Sequence, residues 1–115
     1  MKQFMMIFIG ADYADLGLSP EELQSRMGKW FGWGQKMEEA GILVGGEALT
    51  PQIRRIVGEN RTVTDLTSAE VKEIVGGYYT VKAKNFDEVQ EIAKDYPDYD
   101  LGGTVEIREI MVFDR

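Results

Sequence analysis

The chain has 115 residues, 43% hydrophobic and 29% charged: enough for one modest core, too few for two, and too apolar for a disordered segment. Thirteen Lys and Arg against twenty Asp and Glu leave a net charge of −7, which repels phosphate backbones and anionic bilayers and argues against nucleic acid or a membrane surface as partner. The chain contains no Cys and no His, which removes disulfide, thiolate and imidazole acid/base chemistry while leaving the redox compartment open.

The first segment, MKQFMMIFIG, carries an apolar run from Phe4 to Ile9 that ends at Gly10. It is too short for a signal sequence, and no stretch approaches the roughly 18 apolar residues of a membrane span. It reads instead as a buried central strand, and the cytoplasm is the expected location. Ser19-Pro20-Glu21-Glu22 supplies a cap, a proline at the first helical position and a capping box, so a helix starts there. Leu23, Met27, Trp30, Gly34 and Met37 lay an apolar stripe along it, and Ala40-Gly41 ends it.

Ile42 to Leu49 reads as a second strand, with a bulge or a close backbone approach at Gly45-Gly46, ending at Thr50-Pro51. Gln52 to Asn60 reads as a polar connection, whereas Arg61 to Asp65 alternates like a short paired strand. Glu70 to Val75 is either one helical turn or an extended approach to Gly76-Gly77, and Tyr78 to Ala83 has strand composition. Asn85 caps a second helix with Glu88 at its third position; Phe86, Val89, Ile92, Ala93 and Tyr96 form its apolar face, and Pro97 stops it. Thr104 to Phe113 alternates as a long last strand.

Strand, helix, strand, long connection, strand, helix, strand is the order of an α+β, ferredoxin-like βαββαβ sandwich: one antiparallel sheet with both helices on one face, in a single domain spanning residues 1–115. The other face is expected to carry alternate residues of Met5 to Ile9, Val44, Tyr79, Val81 and Ile107, too apolar to leave in water. That predicts a homodimer closed sheet against sheet, a dimeric α+β barrel.

Several segments together resemble one family. Ala40-Gly41, Gly45-Gly46-Glu47-Ala48-Leu49-Thr50-Pro51, Arg61-Thr62-Val63-Thr64-Asp65, Lys72-Glu73-Ile74-Val75-Gly76-Gly77-Tyr78-Tyr79 and Gly102-Gly103-Thr104-Val105-Glu106-Ile107-Arg108 follow one another along the chain. In that order they are similar to the YCII-related, or DGPF-domain, family of small bacterial proteins. The resemblance implies a dimeric α+β barrel with a pocket, and, through relatives encoded beside sigma factors, a regulatory interaction as one reading. Where the family's name motif reads Asp-Gly-Pro-Phe, this chain has Asp65-Leu66-Thr67-Ser68, so the turn must differ. Some relatives are thought to use a His-Asp pair, which a chain without His cannot.

The remaining candidates are carboxylates, Lys, Arg and aromatics. Glu47, at the end of an apolar strand, is a candidate proton carrier if buried in a cavity, or a structural partner of Arg61. Asp65 is either a second candidate base or a turn residue that satisfies its own backbone. Arg61 and Lys72 are candidates to hold an anionic group, beside a Gly76-Gly77 that either approaches a ligand or makes a bulge. Of the helix aromatics, Trp30 is expected in packing and Trp33 in a pocket; of the adjacent tyrosines, Tyr78 is the ligand-side candidate. Phosphate-loop, nucleophile-elbow and metal spacings are missing, and Asp95, Asp98 and Asp100 lack the glycine and distal Glu of a calcium loop. No cofactor or metal is expected. The sequence thus supports a homodimer that binds a small polar or anionic molecule in an inter-sheet cavity, with a carboxylate-based lyase, isomerase or hydrolase and a protein-interaction module as the alternatives.

Overall fold

The computed structural model of the chain describes residues 1–67, 70, 71 and 73–114. Its first strand, β1 (Lys2–Gly10), alternates strictly: Phe4, Met6 and Phe8 are buried, Met5 and Ile7 half-buried. A short 3-10 turn at Tyr13–Asp15 leads to α1 (Pro20–Glu39). There the Ser19 hydroxyl accepts a hydrogen bond from the Glu22 amide at 3.1 Å, and Pro20 opens the first turn, so the capping signal works as its chemistry dictates.

Next come β2 (Leu43–Ala48), a hairpin of β3 (Ile53–Val57) and β4 (Thr62–Leu66), the long β5 (Ile74–Ala83), α2 (Phe86–Ala93), a 3-10 turn at Tyr99–Leu101 and β6 (Thr104–Glu109). The four long-range strands form one antiparallel sheet in the order β2-β5-β1-β6, while β3 and β4 pair only with each other. With the hairpin regarded as an insertion, this is the ferredoxin-like order, and both helices pack on one face. The core there joins Phe4, Met6 and Phe8 to Trp33 and Met37 of α1, Val81 and Ala83 of β5, and Val89 and Ala93 of α2. No helix among the described residues is long and apolar enough to cross a membrane.

The structure differs from the expectations in four places. Ile53 to Val57 is a strand, not a polar connection: it pairs residue for residue with β4, and its polar Arg54 meets Asp65 across the pair. The last strand ends at Glu109 rather than Phe113: its register on β1 runs out at Phe4↔Glu109, with one further bond from the Ile110 amide to the Gln3 carbonyl at 2.9 Å where β1 itself begins. α2 ends at Ala93, and Tyr96 is buried from the turn that follows. Most consequential is register. Met6 faces both Tyr79 and Ile107, and Phe4 faces Val81; directly opposed residues share a face, so Tyr79, Val81 and Ile107 lie on the helix side. The open face carries Met5 and Ile7 among Tyr78, Thr80, Glu106 and Arg108.

At Gly45-Gly46 the two alternatives read from sequence occur side by side. The register of β2 on β5 shifts between Leu43 and Gly45, and a Cβ on Gly46 would collide with the Tyr79 ring and the Tyr78 carbonyl oxygen. Gly46→Ala is therefore expected to cost about 2 kcal/mol through overpacking, read as a lower urea midpoint with an unchanged m value; a midpoint within error of the parent would mean the strand shifts freely here.

Candidate functional site

A cavity of about 380 Å3 opens at the C-terminal end of β1, between α1 and the facing ends of β2 and β5. Its size is that of a small-molecule site. Three features of the sequence keep it open. Gly10 ends β1 without a side chain. The register of β1 on β5 jumps from Phe8↔Gly77 to Ile9↔Val75, leaving Gly76 as a bulge. Gly77 lets β2 approach closely, since a Cβ there would stand 2.7 Å from the Glu47 carbonyl oxygen.

One wall is aromatic. Phe8 is the hub: its ring centroid lies 5.0 Å from Trp30, 5.4 Å from Tyr79 and 5.3 Å from Tyr96, the last nearly parallel at 15°. All four rings line the cavity. The other wall is polar and built on Asp98, a carboxylate only 8% exposed. Tyr13 donates its hydroxyl to Asp98 Oδ2 at 2.5 Å and accepts from Trp30 Nε1 at 2.9 Å. Arg26 Nη1 donates to Asp98 Oδ1 and to the Pro97 carbonyl, both at 3.1 Å, and the same guanidinium grips Asp100 with two bonds of 2.9 and 2.6 Å. A buried carboxylate is thus satisfied on both oxygens, the condition under which burying it is tolerable. Glu47, Ala48 and Leu49 from β2 and the segment that follows it, and Tyr78 from β5, form the rim.

The YCII-related domain model matches residues 4–114 of the chain. The chain belongs to the YCII-related family. No curated protein matches it.

Within this YCII-related protein the sequence-derived candidates separate. Glu47 and Tyr78 face each other in register and both line the cavity. Asp65 does not line it: on β4 it opposes Arg54, whose Nε and Nη2 bond its oxygens at 2.8 and 3.3 Å in an exposed pair, of a kind that stabilises little. Arg61 sits at the hairpin turn with a positive φ of 53°, and its guanidinium donates to the Glu59 carbonyl at 2.8 Å rather than pairing with Glu47. Lys72 lies outside the described residues. Trp33, expected in a pocket, is 4% exposed in the core and donates Nε1 to the Ile92 carbonyl at 3.2 Å, whereas Trp30 lines the cavity. The two are three residues apart on a helix, about 60° around its axis, so the docking angle of α1 alone decides which one meets the core. The cavity also lies at the edge of the helix-covered layer rather than over the open sheet face.

Sequence reasoning missed Tyr13, Arg26 and Asp98. The one signal was the cluster of Asp95, Asp98 and Asp100 around Pro97, read only as a failed calcium loop; the described residues hold no group of acids arranged for a metal. Burial, then the bond to Asp98, pushes the Tyr13 hydroxyl from 10.0 up to about 12, and burial likewise raises Tyr79 and Tyr96. Tyr13 is therefore a neutral phenol at physiological pH, a hydrogen-bonding group and not a base. Folded Tyr13 keeps its proton to about pH 12 while the unfolded chain releases it near 10, so its stabilising contribution is whole below pH 10 and lost as pH rises toward 12. Urea midpoints measured from pH 9 to 12 are expected to fall more steeply for the parent than for Tyr13→Phe; parallel profiles would contradict the assignment.

Proposed function

We propose that this YCII-related protein is a homodimer that binds a small molecule with a mainly apolar body in the cavity between β1, α1 and the β2/β5 edge. The observation that carries the reading is the cavity's construction: a continuous aromatic wall of Phe8, Trp30, Tyr79 and Tyr96 faces a few fixed polar groups. An apolar surface with a small number of placed polar groups is what orients a ligand. The dimer is supported by surface area. A compact monomer of this 13.0 kDa mass exposes about 6,300 Å2, whereas this chain exposes 8342 Å2. The excess of about 2,000 Å2 exceeds what one partner gives to a standard interface. Much of it is apolar: Ile56, Val57 and Val63 on the hairpin, and Met111, Val112 and Phe113 after β6, are all exposed. A two-stranded hairpin is marginal in water by itself, and a second copy would cover it.

The test is thermal shift and calorimetry with water-soluble phenyl compounds of benzyl size. Binding is expected to raise Tm in a concentration-dependent way and to quench emission from Trp30, and Leu49→Trp, which fills the rim, is expected to abolish both. If no compound shifts the parent, the binding reading fails. Light scattering is expected to return twice the chain mass; a monomer at tens of micromolar would remove the dimer.

A further inference from the structure

We propose that the ligand of this cavity is an organic cation, a protonated amine or similar nitrogen group carried on a small aromatic or aliphatic body. The proposal deepens the binding reading and rests on it. Among the described residues that line the cavity there is no Lys or Arg, while Asp98 does so from inside and Glu47, which opposes Tyr78 of the open face, stands at the rim. Arg26 stands behind Asp98, but the same guanidinium is shared with Asp100. That leaves the polar wall on the negative side, in a chain whose net charge is −7.

The hydrogen bonds point the same way. The Tyr13 hydrogen is committed to Asp98, and its oxygen already accepts from Trp30. What Tyr13 and Asp98 can still offer a ligand is lone pairs. A carboxylate or phosphate ligand would meet acceptors and negative charge here, whereas an ammonium would find acceptors for its N–H groups. The aromatic wall adds a second attraction, since Trp and Tyr rings draw a cation to their faces, most strongly where water is thinned out. Of the two anion holders expected from sequence, Lys72 lies outside the described residues, and the Arg61 guanidinium is bonded at the hairpin turn, away from the cavity lining.

Three isosteric probes decide the matter: 2-phenylethylammonium, 2-phenylethanol and phenylacetate, titrated by calorimetry at constant ionic strength. The cation is expected to bind about tenfold more tightly than the alcohol, the scale of one nearby charge at partial desolvation, and phenylacetate more weakly than either. Glu47→Gln, an exposed rim substitution, is expected to reduce the cation's advantage over the alcohol severalfold. Glu91→Gln changes the net charge equally on a surface that does not line the cavity and is expected to leave the advantage intact. If the alcohol or phenylacetate binds as well as the cation, or if Glu91→Gln acts as strongly as Glu47→Gln, the cation proposal is overturned and the binding reading survives. If none of the three binds, both fall together.

Discussion

Phe8→Ala is expected to destabilise the protein by about 4 kcal/mol, at the upper end of large-to-small core substitutions. Phe8 is 6% exposed and its ring touches those of Trp30, Trp33, Tyr79 and Tyr96. Removing it withdraws the ring all four rest on, and the space left joins the existing cavity, so collapse around the site is limited on that side. The dispersion and edge-to-face contacts of several aromatic pairs are lost together with the buried area. Phe8→Leu, which keeps most of the volume, is expected to cost much less. Equilibrium urea unfolding followed by far-UV circular dichroism measures both. A Phe8→Ala loss below about 1.5 kcal/mol would mean that the cluster repacks, and that the cavity wall is softer than its ring geometry implies.

The second large effect is at Asp98. Asp98→Ala is expected to cost about 3 kcal/mol, because removing one partner of a buried ion pair leaves the others short of acceptors. Arg26 would retain Asp100, but Tyr13 would lose the acceptor for its hydroxyl, and the link from β1's exit to the turn after α2 would go with it. For a domain of this size that corresponds to a drop in Tm on the order of 10 °C. Asp98→Asn keeps the shape and one acceptor oxygen and is expected to recover part of the loss. Asp100→Asn, at an exposed carboxylate whose pKa the Arg26 bond lowers, is expected to change stability little. An Asp98→Ala variant as stable as the parent would show that water replaces the carboxylate, and would take the polar wall out of any binding account.

Much of the architecture was legible because its signals act over a few residues. Ser19 with Glu22, and Asn85 with Glu88, cap their helices through bonds spanning three residues, and the apolar run of β1 needs no knowledge of its neighbours to be recognised as a central strand. At Gly45-Gly46 and Gly76-Gly77 a bulge was one of the two readings the glycines offered, and a register shift occurs at each, since a missing side chain has the same steric meaning in any context. Glu47 and Tyr78, two of the candidates read from sequence, line the cavity beside those glycines.

What sequence could not supply was pairing. The face on which Tyr79, Val81 and Ile107 lie depends on register with β1, and a slip of one residue inverts it. Whether Trp30 or Trp33 meets the cavity depends on how α1 lies across the sheet, which no periodicity within the helix specifies. Tyr13 and Asp98 stand 85 residues apart, and Arg26 and Asp98 stand 72 apart; each alone reads as an ordinary surface residue. Local sterics and capping determined the elements, and with them the fold class. The cavity, its aromatic wall and its buried carboxylate exist only once the sheet has closed, because every one of their contacts joins residues that the chain itself holds far apart.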